Sequence, residues 1–150
     1  MKIAIGADHR GYLHKESIQA ALGTMGIEVI DVGAYSDERS DYPDFAVAAV
    51  NTILKGEAAR GILICGTGIG MSIAANRFYG IYAGLAWNNT VAQKAKEEDN
   101  INILVLPADF ISQQESVEMV STWLTAPFKG GHYQDRINKV EEIGGIKSPS

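Results

Sequence analysis

The run "ILICGTGIGMSIAANR", residues 62 to 77, decides how this chain is read. It opens on "ILIC", an apolar β-branched stretch that reads as a buried strand. The glycines at 66, 68 and 70 then bend the chain, and "MSIAANR" continues as a small-residue helix. Working outward, the same alternation recurs. "KIAIGAD", "EVIDVG", "YAGLAW" and "NILVLP" are four more strand candidates. The amphipathic stretches between them predict helices over 11–25, 43–55, 69–78 and 90–98, with 112–124 and 133–143 following the last strand. Apolar strands separated by helices make a parallel sheet covered on both faces, because right-handed crossovers put helices above and below it. The predicted class is therefore doubly wound α/β. Ligands bind such sheets beyond the carboxyl ends of the strands, here Asp8–His9, Gly33–Ala34, Cys65–Gly66, Trp87–Asn88 and Pro107–Ala108.

Composition sets the bounds. A chain of 150 residues with 46 % hydrophobic content fits one domain with a full-sized core, residues 1–150. Thirteen basic and 18 acidic side chains leave a formal charge of -5, with no Lys/Arg-rich run to follow a phosphate backbone or an anionic membrane. Nucleic acid and membrane are excluded as partners on this reading. The start, "MKIAIGADHRG", meets charge and glycine too early for a signal peptide or a span, and a cytoplasmic location is expected. The tail "GGIKSPS", residues 144–150, is expected to be mobile. One cysteine, Cys65, permits neither an internal disulfide nor a multi-cysteine metal site, so it is a buried apolar filler or a reactive thiol.

The glycine bend brings several N–H groups, and the positive end of the following helix, to one place. Three anion-binding readings fail on spacing. A dinucleotide fingerprint needs Gly or Ala where Met71 stands, and an acidic residue where Trp87–Asn88 ends the next strand. A nucleotide P-loop needs Lys followed by Ser or Thr, absent from "GTGIGMS". A thiol phosphatase would place an arginine at position 71. What remains is a cysteine facing backbone donors at a helix amino terminus, where protein thiols favour the thiolate and a developing oxyanion is stabilised. That pairing suggests proton abstraction beside a carbonyl; the plainer alternative is a strand-end cysteine with glycines that merely allow close packing.

Four stretches carry a resemblance over nearly the whole chain: "IGADHRG" (5–11), "YSDERSDYPDFA" (35–46), "ILICGTGIGMSIAANRF" (62–78) and "GGHYQDRI" (130–137). With these the sequence resembles the ribose-5-phosphate isomerase type B family and the related galactose-6-phosphate isomerase subunits. The resemblance implies a Rossmann-like three-layer sandwich with a five-stranded parallel sheet. It also implies a homodimer, or a tetramer built from it, with active sites shared between subunits and the 133–143 helix docked on the partner. The implied chemistry interconverts an aldose phosphate and a ketose phosphate with no cofactor and no metal. Cys65 matches the catalytic base, acting through a cis-enediolate, and Gly66, Gly68, Ile69 and Gly70 lie in the loop whose amides hold the enediolate oxygens. Thr67 is placed to pass a proton between those oxygens. Asp8 and His9 match substrate contacts, Tyr42 matches a tyrosine of the same pocket, and Arg136 matches a phosphate-binding arginine. His14 is expected to be a solvated residue of the first helix.

The sequence also departs from the family. Glu98 and Asp99 stand where the resemblance puts a ring-opening histidine and an asparagine. Asp109 and His132 stand where it puts two arginines, and the three changes at 99, 109 and 132 make the expected pocket about four charges more negative. Two like charges about 5 Å apart at an effective dielectric near 20 repel by roughly 3 kcal/mol, about a hundredfold in affinity for a phosphate. Lys129, Arg77 and Arg39 are the candidate compensating cations. Glu98, as a carboxylic acid, is a candidate proton donor to a ring oxygen. The leading function is interconversion of ribose 5-phosphate and ribulose 5-phosphate. The alternatives are isomerisation of a hexose phosphate or an unphosphorylated sugar bound through Asp99, Asp109 and His132, or a silent sugar-binding subunit. Trp87 and Trp123 are candidates for either an interface or the core.

Overall fold

The computed structural model describes residues 1–143, so the tail expected to be mobile lies outside the described residues. Strands β1 (Lys2–Ala7), β2 (Glu28–Asp31), β3 (Arg60–Cys65), β4 (Ala83–Leu85) and β5 (Ile103–Pro107) pair in parallel in the order β2-β1-β3-β5-β4. The near-continuous apolar runs take the three inner places, where both sheet faces are covered: Ile3, Ile5, Ile62, Leu63, Ile64, Leu104 and Val105 are fully buried. The edges differ from that expectation. β2 and β4 are short and half-buried, because an edge strand has a neighbour on one side only.

The connections are helices α1 (Tyr12–Thr24), α2 (Tyr42–Leu54), α3 (Ile69–Asn76) and α4 (Asn89–Asp99), and α5 (Gln113–Thr125) and α6 (His132–Ile143) follow β5. Each lies within two residues of its expected bounds. α1, α4 and α5 pack together on one face of the sheet and α2 and α3 on the other, each over its own hydrophobic core. This is the three-layer, Rossmann-like arrangement. α6 stands outside the layers, against α4, with no buried residue. No helix among the described residues is long and apolar enough to cross a membrane.

Two polar features are built into the layers. Lys15 of α1 is fully buried and its ammonium donates to Asp31 of β2 at 2.8 Å, a charged pair that ties the helix to the edge strand. His14 is corrected from a solvated residue to a half-buried one: its Nε2 lies 2.8 Å from the Ile111 carbonyl, which joins α1 to the segment after β5. Trp123 belongs to the core, fully buried under Arg60, whereas Trp87 is exposed.

The chain leaves β1 toward β2 and then crosses back over β1 to β3, so the direction of winding reverses between β1 and β3. The helices diverge there and leave a crevice at the carboxyl ends of the two strands.

Candidate active site

Cys65 is the last residue of β3 and therefore sits at this reversal. It is free, 4 % exposed, and packed in the core shared with Leu63, Met71 and Val105. The loop that follows is pinned from the next strand's exit: Ala108 N–H donates to the Cys65 carbonyl and Asp109 N–H to the Gly66 carbonyl, both at 2.9 Å. With its carbonyls held, the loop turns its amides elsewhere. Among the described residues the N–H groups of Gly66, Thr67 and Gly68 have no backbone or side-chain acceptor, while Ile69 N–H donates to Thr67 Oγ1 at 3.2 Å. Three consecutive unengaged donors beside a free thiol, at the start of α3, form a place for a negative charge.

Each glycine of the bend has its own reason. Gly68 caps α3 at φ +76°, where a side chain is strained, and a β-carbon there would also lie 2.4 Å from Leu85 Cδ1. At Gly66 a β-carbon would lie 2.2 Å from the Cζ of Arg10, and at Gly70 2.5 Å from the Cζ of Tyr42. Two side chains from other loops thus rest directly on the bend.

Those loops carry the remaining carboxyl-end candidates. Asp8 is buried; its Oδ1 accepts from Arg10 N–H at 3.0 Å and Gly11 N–H at 3.2 Å, so this carboxylate braces the turn after β1. His9 is fixed against the loop before α2: its N–H donates to Ser40 Oγ at 3.1 Å, and Ser40 N–H donates to its Nδ1 at 3.2 Å. The same Nδ1 lies 3.3 Å from the Ser40 carbonyl, so this ring nitrogen is held at Ser40. Tyr42, the first residue of α2, has Pro43 behind it and projects its ring over Gly70. Between them opens a cleft of about 520 Å³, lined by Asp8, His9, Arg10, Arg39 and Tyr42 among others. Cys65 is buried beneath the bend and does not line this cleft.

Asp109 is paired with a residue outside the sequence-derived site. Arg10 and Asp109 form an ion pair across the Gly66 loop, with side chains 49 % and 33 % exposed. None of the three candidate compensators does this. Lys129 pairs with Glu97 at 3.6 Å, Arg77 is exposed at the end of α3, and Arg39 lines the cleft without touching Asp109. The signal for Arg10 was present in "GADHRG", but only contact across 99 positions, to Asp109, distinguishes it.

The other candidates lie elsewhere. Glu98 and Asp99 end α4, which runs from the carboxyl end of β4 back to its amino end, roughly 16 Å for 11 residues. Glu98 pairs with Lys94 at 3.6 Å on the same helix, and Asp99 borders an apolar groove with Leu85 and Trp87. His132 and Arg136 are exposed on α6, where the His132 and Tyr133 rings are 4.1 Å apart and the Arg136 guanidinium lies 5.7 Å from the Tyr133 ring. Lys129 N–H bonds the Glu97 carbonyl at 2.9 Å, which sets α6 beside the end of α4. One chain therefore brings Cys65, Thr67, Gly66, Gly68, Ile69, Gly70, Asp8, His9, Tyr42 and Asp109 to one end of the sheet. It holds Glu98, Asp99, His132 and Arg136 at the other.

Comparison with known proteins gives the family. Residues 3–140 match the family model described as Ribose/Galactose Isomerase. Ribose-5-phosphate isomerase B of Escherichia coli is 40 % identical over 142 residues, 95 % of either chain. A solved structure of ribose-5-phosphate isomerase B from Clostridium thermocellum superposes with a TM-score of 0.94 at 43 % identity, covering 96 % of this chain and 97 % of that one. The Mycoplasma genitalium enzyme, solved with bound ribulose-5-phosphate, gives 0.92 at 37 % identity with 97 % of each chain covered. On this likeness in sequence and in fold, the chain belongs to the ribose/galactose isomerase family and is an aldose–ketose isomerase.

Proposed function

We propose that this enzyme interconverts ribose 5-phosphate and ribulose 5-phosphate with Cys65 as the base. The observation that carries the reading is the free thiol followed by three unengaged amides, at Gly66, Thr67 and Gly68, at the point where the sheet reverses. The Cys65 sulfur, as thiolate, takes the proton from C2 of the open-chain aldose. The electron pair moves into a C1–C2 double bond and leaves O1 negative, facing the loop amides. Thr67 passes the O2 proton to O1, and the Cys65 S–H returns its proton to C1, which leaves a carbonyl at C2. His9, Tyr42 and Asp8 bind the hydroxyls of the substrate.

The second group of residues fits the same reaction if two copies of the chain share their sites. Glu98 of the partner copy, as the carboxylic acid, would protonate the ring oxygen, and Arg136 and His132 would approach the phosphate, with Asp99 beside them. The exposed α6 and the apolar groove beside Trp87 supply surface for such a dimer. An unpaired thiol suits the reducing cytoplasm. An unphosphorylated sugar bound through Asp99, Asp109 and His132 is the weaker reading, because one chain holds Asp109 at one end of the sheet and Asp99 and His132 at the other.

The test is hydrogen exchange at C1 and C2, followed by NMR in deuterated water with ribose 5-phosphate, ribose and hexoses. The proposal expects exchange with ribose 5-phosphate that disappears in Cys65→Ala. Exchange that persists in Cys65→Ala removes the sulfur from the mechanism, and exchange confined to unphosphorylated sugars removes the substrate.

A further inference from the structure

Arg10 is a strong cation that touches the glycine bend, and its place there is defined by two contacts. The guanidinium rests on Gly66, the first residue of the anion cradle, and it is held by the Asp109 carboxylate. Asp109 is in turn anchored, through its own N–H, to the Gly66 carbonyl. The carboxylate therefore occupies a position where an anion meets both a guanidinium and the rim of the sugar-sized cleft that Arg10 lines.

We infer that Arg10 is the substrate-binding residue that grips the phosphate from within the same chain, and that Asp109 is an internal competitor for it. The inference rests on the phosphate-ester reading above and adds to it a residue and a means of setting affinity.

The physical case has three steps. A sugar whose reacting end lies at the Gly66–Gly68 amides cannot share that space with a guanidinium lying on Gly66, so binding displaces Arg10 from its resting place. The ion pair it leaves is weak, since both side chains are substantially exposed and such pairs are screened by water. A phosphate dianion offers a guanidinium two parallel charge-assisted bonds and twice the charge of the carboxylate, so the exchange runs toward the substrate. An unphosphorylated sugar offers no such replacement and must displace Arg10 without compensation. The same pair thus attracts a phosphorylated substrate and discriminates against its unphosphorylated counterpart. Arg39 is the other arginine of the cleft.

The experiment compares wild type, Arg10→Ala, Arg10→Lys, Arg39→Ala and Asp109→Asn. Turnover of ribose 5-phosphate gives KM and kcat separately, and titration with inorganic phosphate, followed by calorimetry, gives binding without chemistry. Arg10→Ala is expected to raise KM and weaken phosphate binding by about 10- to 100-fold, the worth of a charged hydrogen-bond pair. Arg10→Lys should recover part of this, having charge without the fork. Asp109→Asn should tighten both by a few fold because the competitor is gone. Three results overturn the inference: unchanged phosphate binding in Arg10→Ala, the full loss appearing in Arg39→Ala instead, or weaker binding in Asp109→Asn. A wild type that binds phosphate through Arg10 and yet turns over no sugar phosphate would remove the proposed reaction and leave this site standing.

Discussion

The two ends of the sheet are built on different terms. At the carboxyl end, Cys65, the glycine bend, Asp8, His9 and Tyr42 are locked by backbone hydrogen bonds and by side chains seated on glycines. At the amino end, Glu98, Asp99, His132 and Arg136 lie on helix surfaces and touch mainly their own helix or its nearest neighbour. The comparison teaches that the folding of one chain preorganises the glycine bend and its neighbours, and leaves the second group of candidate residues apart from it on helix surfaces.

The contrast breaks most visibly through the thiol. Cys65→Ala is expected to lower turnover by about a thousandfold, the middle of the range for losing a general base, with the far-ultraviolet circular dichroism unchanged. A loss below tenfold would show that the preorganised end does not perform the proton transfer. The next experiment joins the two ends. Cys65→Ala and Arg136→Ala proteins, each inactive or nearly so, are mixed, unfolded and refolded together; random pairing into shared-site dimers returns roughly a quarter of wild-type activity, since half the dimers are mixed and each has one intact site. Separate sites within each chain would return none.

The rigidity of the cradle is tested by Gly68→Ala. Strain at φ +76° together with the close approach to Leu85 is expected to cost about 2 kcal/mol, read as a Tm lowered by roughly 4–8 °C. An alanine at Gly130 also meets a positive φ, of 65°, but no neighbour within 4 Å, so its smaller cost isolates the packing part. The smallest effect belongs to the looser end. The Tyr82 hydroxyl donates to the Glu141 carboxylate and latches α6 to the sheet edge. Burial, followed by that hydrogen bond and the nearby negative charge, pushes the phenol up to about 12 from 10.0. The folded value is raised, so the contribution to stability is complete below the unfolded value and is lost as pH rises through about 12. Between those limits α6 should loosen in wild type, seen as faster amide exchange in residues 132–143, and Tyr82→Phe should lose most of this pH dependence.

The layered fold was legible because its signals are local. The β-branched runs of β1, β3 and β5 and the helical periodicity between them each report on a few neighbouring residues, and every helix lies close to its expected bounds. The edges were less legible: "EVIDVG" and "YAGLAW" read as full strands, but pairing on one side ends them early. In the site, Cys65 and its glycines could be singled out from spacing alone. Arg10 could not, because an arginine in a polar loop carries no local mark of its partner. His14 was misread for the same reason, its acceptor at Ile111 lying 97 positions away.

By itself, then, the sequence determined the α/β layering, the glycine bend and the presence of one thiol at a strand's end, since strand, turn and helix propensities act over a few residues. Only the tertiary structure decided which charges meet: that Arg10 answers Asp109 over Gly66, and that Glu98 and Arg136 stand at the far end of the sheet from Cys65. Electrostatic partnership depends on distance through space, and a parallel sheet fixes that distance by strand order, which no short stretch of sequence contains.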